Sequence, residues 1–141
     1  PALIAEAILS MLAAKERVLK ILHLGCGASK LGHAFSSLGH DVLDIDISIA
    51  ALEVDDAALP HSSDAIGTTG KLERMVCDCT GMPASWTGQF DLIIEKGLLE
   101  DFGGGLQVSK TLAEVSRVAC SRDGTAFVSL SDEVVSSMRP V

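Results

Sequence analysis

Gly25-Cys26-Gly27-Ala28-Ser29 follows the largely apolar run Ile21-Leu22-His23-Leu24 and leads straight into a stretch with helical character, Lys30 to Leu38. A buried strand that ends in a glycine turn and opens a helix is a common cradle for nucleotide-type cofactors. Glycine allows the tight turn and lets a ligand approach the backbone where a Cβ would stand. Asp46 follows Gly25 by 21 residues, close to the spacing of about 20 expected for a ribose-binding carboxylate at the end of the next strand. One carboxylate can accept from both ribose hydroxyls, and such charge-assisted bonds are strong. Asp44, two residues earlier on the same strand face, is a rival placed deeper below the rim. Asp78 stands at the end of an expected third strand, where it could accept from an adenine amino group; as a turn-former it would instead precede Thr80 and Gly81. The run Phe90 to Gly97, FDLIIEKG, brings Glu95 and Lys96 to the rim beside the glycine turn.

The turn also discriminates among cofactors. A nicotinamide dinucleotide fingerprint, G-x-G-x-x-G/A, needs a third small residue where the helix crowds the pyrophosphate. Lys30 holds that position here, which favours an adenosine cofactor without a pyrophosphate, S-adenosylmethionine, over a nucleotide-dependent oxidoreductase.

These residues depend on elements that the chain announces by alternating apolar runs and breakers. A helix is expected over Ala2 to Arg17, a strand over Val18 to Leu24, and a helix over Lys30 to Leu38 closed by Gly39. A second strand spans Asp41 to Ile47, and Ser48 caps a helix running to about Leu59 and stopped by Pro60. Residues 61–70 read as a polar loop. The third strand runs from Leu72 to Cys77, a turn-rich connection from Gly81 to Gly88, and the fourth strand from Phe90 to Ile94. A loop through Gly103, Gly104 and Gly105 precedes a helix from Leu106 to Ala119 and a fifth strand from Thr125 to Leu130. Strands alternating with helices imply right-handed crossovers, and hence an α/β, doubly wound, mainly parallel sheet covered on both faces. The step from the third strand to the fourth is the weakest, because no helix is evident there.

The 141 residues, 48% hydrophobic and 21% charged, suit a single domain with a real core: an N-terminal helix (1–17), a cofactor-binding core (18–130) and a tail (131–141). A net charge of −8 argues against non-specific nucleic-acid binding, which needs a basic surface, and suits a basic protein partner better. Cys26, Cys77, Cys79 and Cys120 show neither zinc spacing nor the density of a secreted scaffold. They read as buried, reduced thiols in an intracellular, most simply cytoplasmic, protein with no metal site; a mitochondrial setting is also compatible. Ala2 to Ala14 is apolar but too short to span a bilayer and carries Glu6.

The segments LHLGCGASKLGHAFSSLGHDVLDIDIS and MVCDCTGMPASWTGQFDLIIEKGLLED resemble the class I, seven-strand S-adenosylmethionine-dependent methyltransferases. Within that class they resemble the branch holding the elongation-factor-1-alpha lysine methyltransferases and their endothelin-converting-enzyme-2-associated relative. The carriers are Gly25-Cys26-Gly27-Ala28-Ser29, Asp46-Ile47-Ser48 and the more specific Glu95-Lys96-Gly97-Leu98-Leu99-Glu100. The resemblance implies that Gly25, Gly27 and Ser29 line the methionine part of the cofactor, with Cys26 between the glycines. It further implies that Asp46 holds the ribose, Ile47 packs near the adenine, Asp78 and Cys79 flank the base, and Glu95 lies near the sulfonium. Ala28, Leu98 and Glu100 depart from the branch pattern of Asn, Thr and Asp. With eleven residues after the fifth strand, the sixth and seventh strands are not expected here.

The activity implied is methyl transfer, most directly to a protein lysine, with Glu95, Glu100 and Asp101 recruiting and orienting a cationic acceptor. The alternative is an inactive domain retained as an interaction scaffold in a larger assembly. Among the other candidates, His23 reads as a core residue, His33 and His40 as borders of the first crossover helix, and Trp86 as loop packing.

Overall fold

A computed structural model describes residues 1–12, 17–53 and 70–131. Five strands, β1 (Lys20–Leu24), β2 (Asp41–Asp46), β3 (Leu72–Val76), β4 (Leu92–Lys96) and β5 (Ala126–Leu130), form one sheet in the order β3-β2-β1-β4-β5. Every neighbouring pair is parallel. The doubly wound parallel α/β fold expected from the alternation of elements is therefore present. The strand order reverses between β1 and β4, the two strands that flank the crevice where ligands of such sheets bind.

The helices are α1 (Ala2–Met11), α2 (Leu31–Ser37), α3 (Ile49–Glu53), α4 (Leu98–Asp101) and α5 (Leu106–Val118). Alternation along the strands sorts the core into two layers, one on each side of the sheet. Ile21, Val42, Leu92 and Ile94 pack against Ala5 and Ile8 of α1 and Leu31 and Phe35 of α2. Leu22, Leu24, Ile45 and Ile93 pack on the other side with Met82, Phe90 and Val115 and Val118 of α5. Among the described residues no helix is long and apolar enough to cross a membrane.

Several boundaries differ from the sequence expectation. The first helix ends at Met11, with Leu12 already extended (ψ 131°), and does not reach Arg17. Arg17 instead donates to the Asp91 carboxylate at 2.8 Å. The fourth strand is displaced two residues onward, Leu92–Lys96 rather than Phe90–Ile94, because Phe90 is occupied by a bridge to Ala119. The connection between β3 and β4 needs no helix. It makes one 3-10 turn, Ala84–Trp86, held down by Arg117 of α5, which donates to the carbonyls of Met82 and Pro83 and to Thr87. Trp86 packs edge-on to Phe90, with centroids 5.7 Å apart, as loop packing required. The helix expected to begin at Ser48 is present as α3 as far as Glu53; its continuation to Leu59, the stop at Pro60, residues 61–69 of the expected loop and the tail after Ser131 lie outside the described residues.

His40 gives the fold a pH dependence. Its Nδ1 accepts the Leu19 amide at 3.1 Å, which requires a neutral acceptor nitrogen, and burial holds its pKa below the ordinary value of 6.5. Protonation is thus easier in the unfolded chain, so the contribution to stability is full above about 6.5 and declines as pH falls below it. Urea midpoints at pH 7.5 and 5.5 should drop more for the wild type than for His40→Asn; equal drops would assign the sensitivity to another group.

Candidate cofactor-binding site

The strand tips are level because the parallel ladder continues past the strands. The Cys26 amide donates to the Ile45 carbonyl and the Cys77 amide to the Asp46 carbonyl, each at 3.0 Å. After Leu24 the chain turns through Gly25 (φ 57°) and Gly27 (φ 49°), a left-handed backbone that strongly favours glycine. Asp46 ties this turn to β2. Its Oδ2 accepts the Gly27 amide and its Oδ1 the Ser48 amide, both at 2.9 Å. Each carboxylate oxygen has two acceptor directions, so holding the turn leaves capacity for two ligand hydroxyls.

Around this turn lies a cavity of about 620 Å³, within the range of small-molecule sites. Gly25, Gly27, Asp46 and Ile47 form one side, Asp78 and Cys79 the next, and Lys96, Leu98, Asp101 and Phe102 face them. Ile47 is 73% exposed, an apolar surface at the mouth that a flat base can cover. The Asp78 carboxylate is held below its ordinary pKa by the hydroxyl and amide of Thr80, at 2.7 and 2.8 Å. It therefore serves both as turn-former and as an ionised acceptor beside the cavity. A groove of similar size, about 660 Å³, lies between α2, α3 and β3, but neither the glycine turn nor the acids at the strand ends line it.

Gly25, Gly27, Asp46, Ile47, Asp78 and Cys79 are thus brought together as the sequence led one to expect. Four expected residues are placed elsewhere. Cys26 is 2% exposed and does not line the cavity; burial, aided by the Asp44 charge, pushes its thiol up to about 12. Ser29 accepts the Leu31 amide at the start of α2 and lies outside the cavity lining. Glu100 is exposed on α4, also outside it. Glu95 requires the largest correction. Rather than facing a sulfonium, its carboxylate is 1% exposed and accepts the amides of Leu98 and Leu99, at 2.9 and 3.3 Å, and the hydroxyl of Ser129.

Sequence reasoning missed Cys77, Thr80, Leu98, Phe102 and Gln107 as lining residues. Leu98 and Phe102 share one face of a helix at i and i+4, and their bracketing by Gly97 and Gly103 was the available signal. The burial of Asp44 ends its rivalry with Asp46. It is fully buried and bonds to Nδ1 of His23 at 3.0 Å and Nη2 of Arg74 at 3.4 Å. Burial raises the pKa of the thiols of both Cys77 and Cys79, in keeping with unreactive cysteines. Among the described residues no group of three or more His, Cys, Asp or Glu is arranged to hold a metal ion.

The family model described as a methyltransferase domain matches residues 22–128. No curated protein matches the chain. Among solved structures, a Methanosarcina mazei protein described as a SAM-dependent methyltransferase is 26% identical with a TM-score of 0.67, over 80% of this chain and 52% of its own. A TehB-like SAM-dependent methyltransferase from Corynebacterium glutamicum is 27% identical with a TM-score of 0.61, over 82% of this chain and 55% of its own. A glycopeptide N-methyltransferase solved with S-adenosyl-L-methionine shares the fold at 14% identity and a TM-score of 0.68, over 90% of this chain and 53% of its own. The chain therefore spans about half the length of these proteins. With strand order, glycine turn and family match in agreement, the chain belongs to the methyltransferase domain family.

Proposed function

We propose that this domain binds S-adenosylmethionine in the 620 Å³ cavity and directs its methyl group to the side-chain amine of a protein lysine. The observation that carries the cofactor assignment is the Asp46 carboxylate, which holds the Gly27 amide at 2.9 Å while lining the same cavity as Asp78. The family match and the neighbours' printed descriptions support the same cofactor. The lysine acceptor rests on the resemblance of Glu95-Lys96-Gly97 to the elongation-factor-1-alpha lysine methyltransferase branch. A net charge of −8 suits a basic protein substrate.

Bound S-adenosylmethionine supplies an activated methyl group and a neutral thioether as leaving group. The protein's task is then mainly positioning, which can account for much of the acceleration of such a displacement. Gly27, with no atom within 4 Å of where a Cβ would stand, leaves room for the amino-acid part of the cofactor, Asp46 accepts from the ribose, and Asp78 accepts from the base. On the opposite wall, Asp101 attracts a cationic side chain and Phe102 offers it an aromatic surface. A lysine must be neutral to attack, which at pH 7 costs roughly 4–5 kcal/mol from its reference pKa. A carboxylate beside it opposes proton loss, so Asp101 orients the acceptor and water takes the proton.

Titration with S-adenosylmethionine and, separately, with a nicotinamide dinucleotide tests the cofactor; binding of the dinucleotide alone would overturn the assignment. Transfer of a labelled methyl group to cell extract, mapped by mass spectrometry, tests the acceptor. Label on lysine is expected. Cofactor binding without transfer would point to the scaffold role instead. With an acceptor in hand, Asp101→Asn should raise its KM about five-fold, the effect of one partly exposed charge interaction, and leave the cofactor dissociation constant unchanged.

A further inference from the structure

Three of the cavity's side chains, Leu98, Asp101 and Phe102, sit on α4 or immediately after it. This short element is bracketed by glycines in left-handed conformations: Gly97 (φ 77°) before it, and Gly103, Gly104 and Gly105 (φ 63°, 89° and 77°) after it. None of the four has a neighbour within 4 Å of where a Cβ would stand, so no side chain crowds these joints. The Gly97 amide donates to the Leu130 carbonyl at 3.0 Å, and Leu98 and Phe102 rest on the core layer beneath. Glu95 fixes the start of the element. Its buried carboxylate accepts the first two amides of α4 and is itself held by the Ser129 hydroxyl of β5. Those amides would otherwise be among the donors a helix start leaves unpaired.

Seated in this way, α4 presses Leu98 onto the glycine turn. A Cβ built on Gly25 would fall 2.8 Å from Cδ1 of Leu98. The leucine therefore fills the space through which a ligand would approach the Gly25 backbone.

We infer that α4 is a glycine-hinged flap, latched through Glu95 and Ser129, that must lift off the Gly25 turn before the amino-acid end of the cofactor can pass, so that the latch sets the rate of cofactor exchange. Glu95 is then a positioning residue: it acts through α4 and touches neither cofactor nor acceptor. The inference rests on the cofactor assignment above. Flap motions of this kind commonly gate binding and release.

Stopped-flow exchange of S-adenosylhomocysteine tests it in the wild type, Ser129→Ala and Leu98→Ala. Ser129→Ala weakens the latch from outside the cavity, and Leu98→Ala removes the obstruction without touching the latch. Both association and dissociation should accelerate in Ser129→Ala by about tenfold, the kinetic equivalent of one hydrogen bond to a carboxylate, with the dissociation constant changing far less than either rate. Hydrogen exchange at the Leu98 and Leu99 amides should quicken in Ser129→Ala, a change that general loosening of the fold would not confine to α4. Leu98→Ala should likewise speed both association and dissociation, because entry and exit share the same obstructed passage, and should do so without quickening exchange at the Leu98 and Leu99 amides. Unchanged rates in both variants, with binding intact, would overturn the flap and leave the cofactor assignment standing. A wild-type protein that binds neither S-adenosylhomocysteine nor S-adenosylmethionine would overturn both.

Discussion

Asp46→Ala is expected to lower the affinity for S-adenosylmethionine by about 100-fold or more. Hydrogen bonds to a charged group are worth about 1.5–3 kcal/mol each, and the ribose offers two hydroxyls. The same substitution removes the acceptor that holds the Gly27 amide at 2.9 Å, so the turn loses its anchor as the sugar loses its partner. Asp46→Asn separates the two effects. Its amide oxygen can still accept the Gly27 amide, whereas its nitrogen cannot accept from a hydroxyl. Calorimetric titration should therefore place Asn between wild type and Ala. Wild-type affinity in both variants would remove Asp46 from the site, and with it the main support for the cofactor reading.

Asp44→Leu is expected to cost about 3–5 kcal/mol of folding stability, the usual effect of removing one member of a buried ion pair. Asp44 is fully buried and joins β1 to β3 through His23 and Arg74. The fit above it is equally tight: a Cβ on Gly32 of α2 would collide with the Asp44 carboxylate oxygens. Leucine thus removes the Asp44 carboxylate from both His23 and Arg74 and also crowds α2. Urea unfolding measures the loss. A change below about 1 kcal/mol would mean that the row from His23 to Arg74 contributes little beyond shape. The comparison with Asp46→Ala is informative, since the two acids lie two residues apart on one strand face. One variant should fold normally and bind weakly, while the other should unfold early.

The sheet was legible because its central strands β1 and β4 are short, largely apolar runs ending at turn residues, a pattern that local chemistry imposes on a buried parallel strand. The glycine turn and the spacing to Asp46 were legible for a similar reason, since each is a property of neighbouring residues on one strand–turn–helix unit. Boundaries were less so. Nothing near Arg17 announces that Asp91, 74 residues away, draws it from the end of a helix, and nothing near Phe90 announces its bridge to Ala119.

The amino-acid sequence by itself determined the α/β class, the turn at Gly25 and Gly27, and which acids stand at the strand ends, because period, glycine and spacing are local quantities. Only the tertiary structure decided what each acid does. Asp44, Asp46, Asp78 and Glu95 look alike in the chain, yet Asp44 lies buried between histidine and arginine and Glu95 between backbone amides and a serine. Asp46 and Asp78 alone of the four line the cavity. Burial and hydrogen-bond partners come from residues distant in sequence, and these separate a carboxylate that holds the fold together from one that meets a ligand.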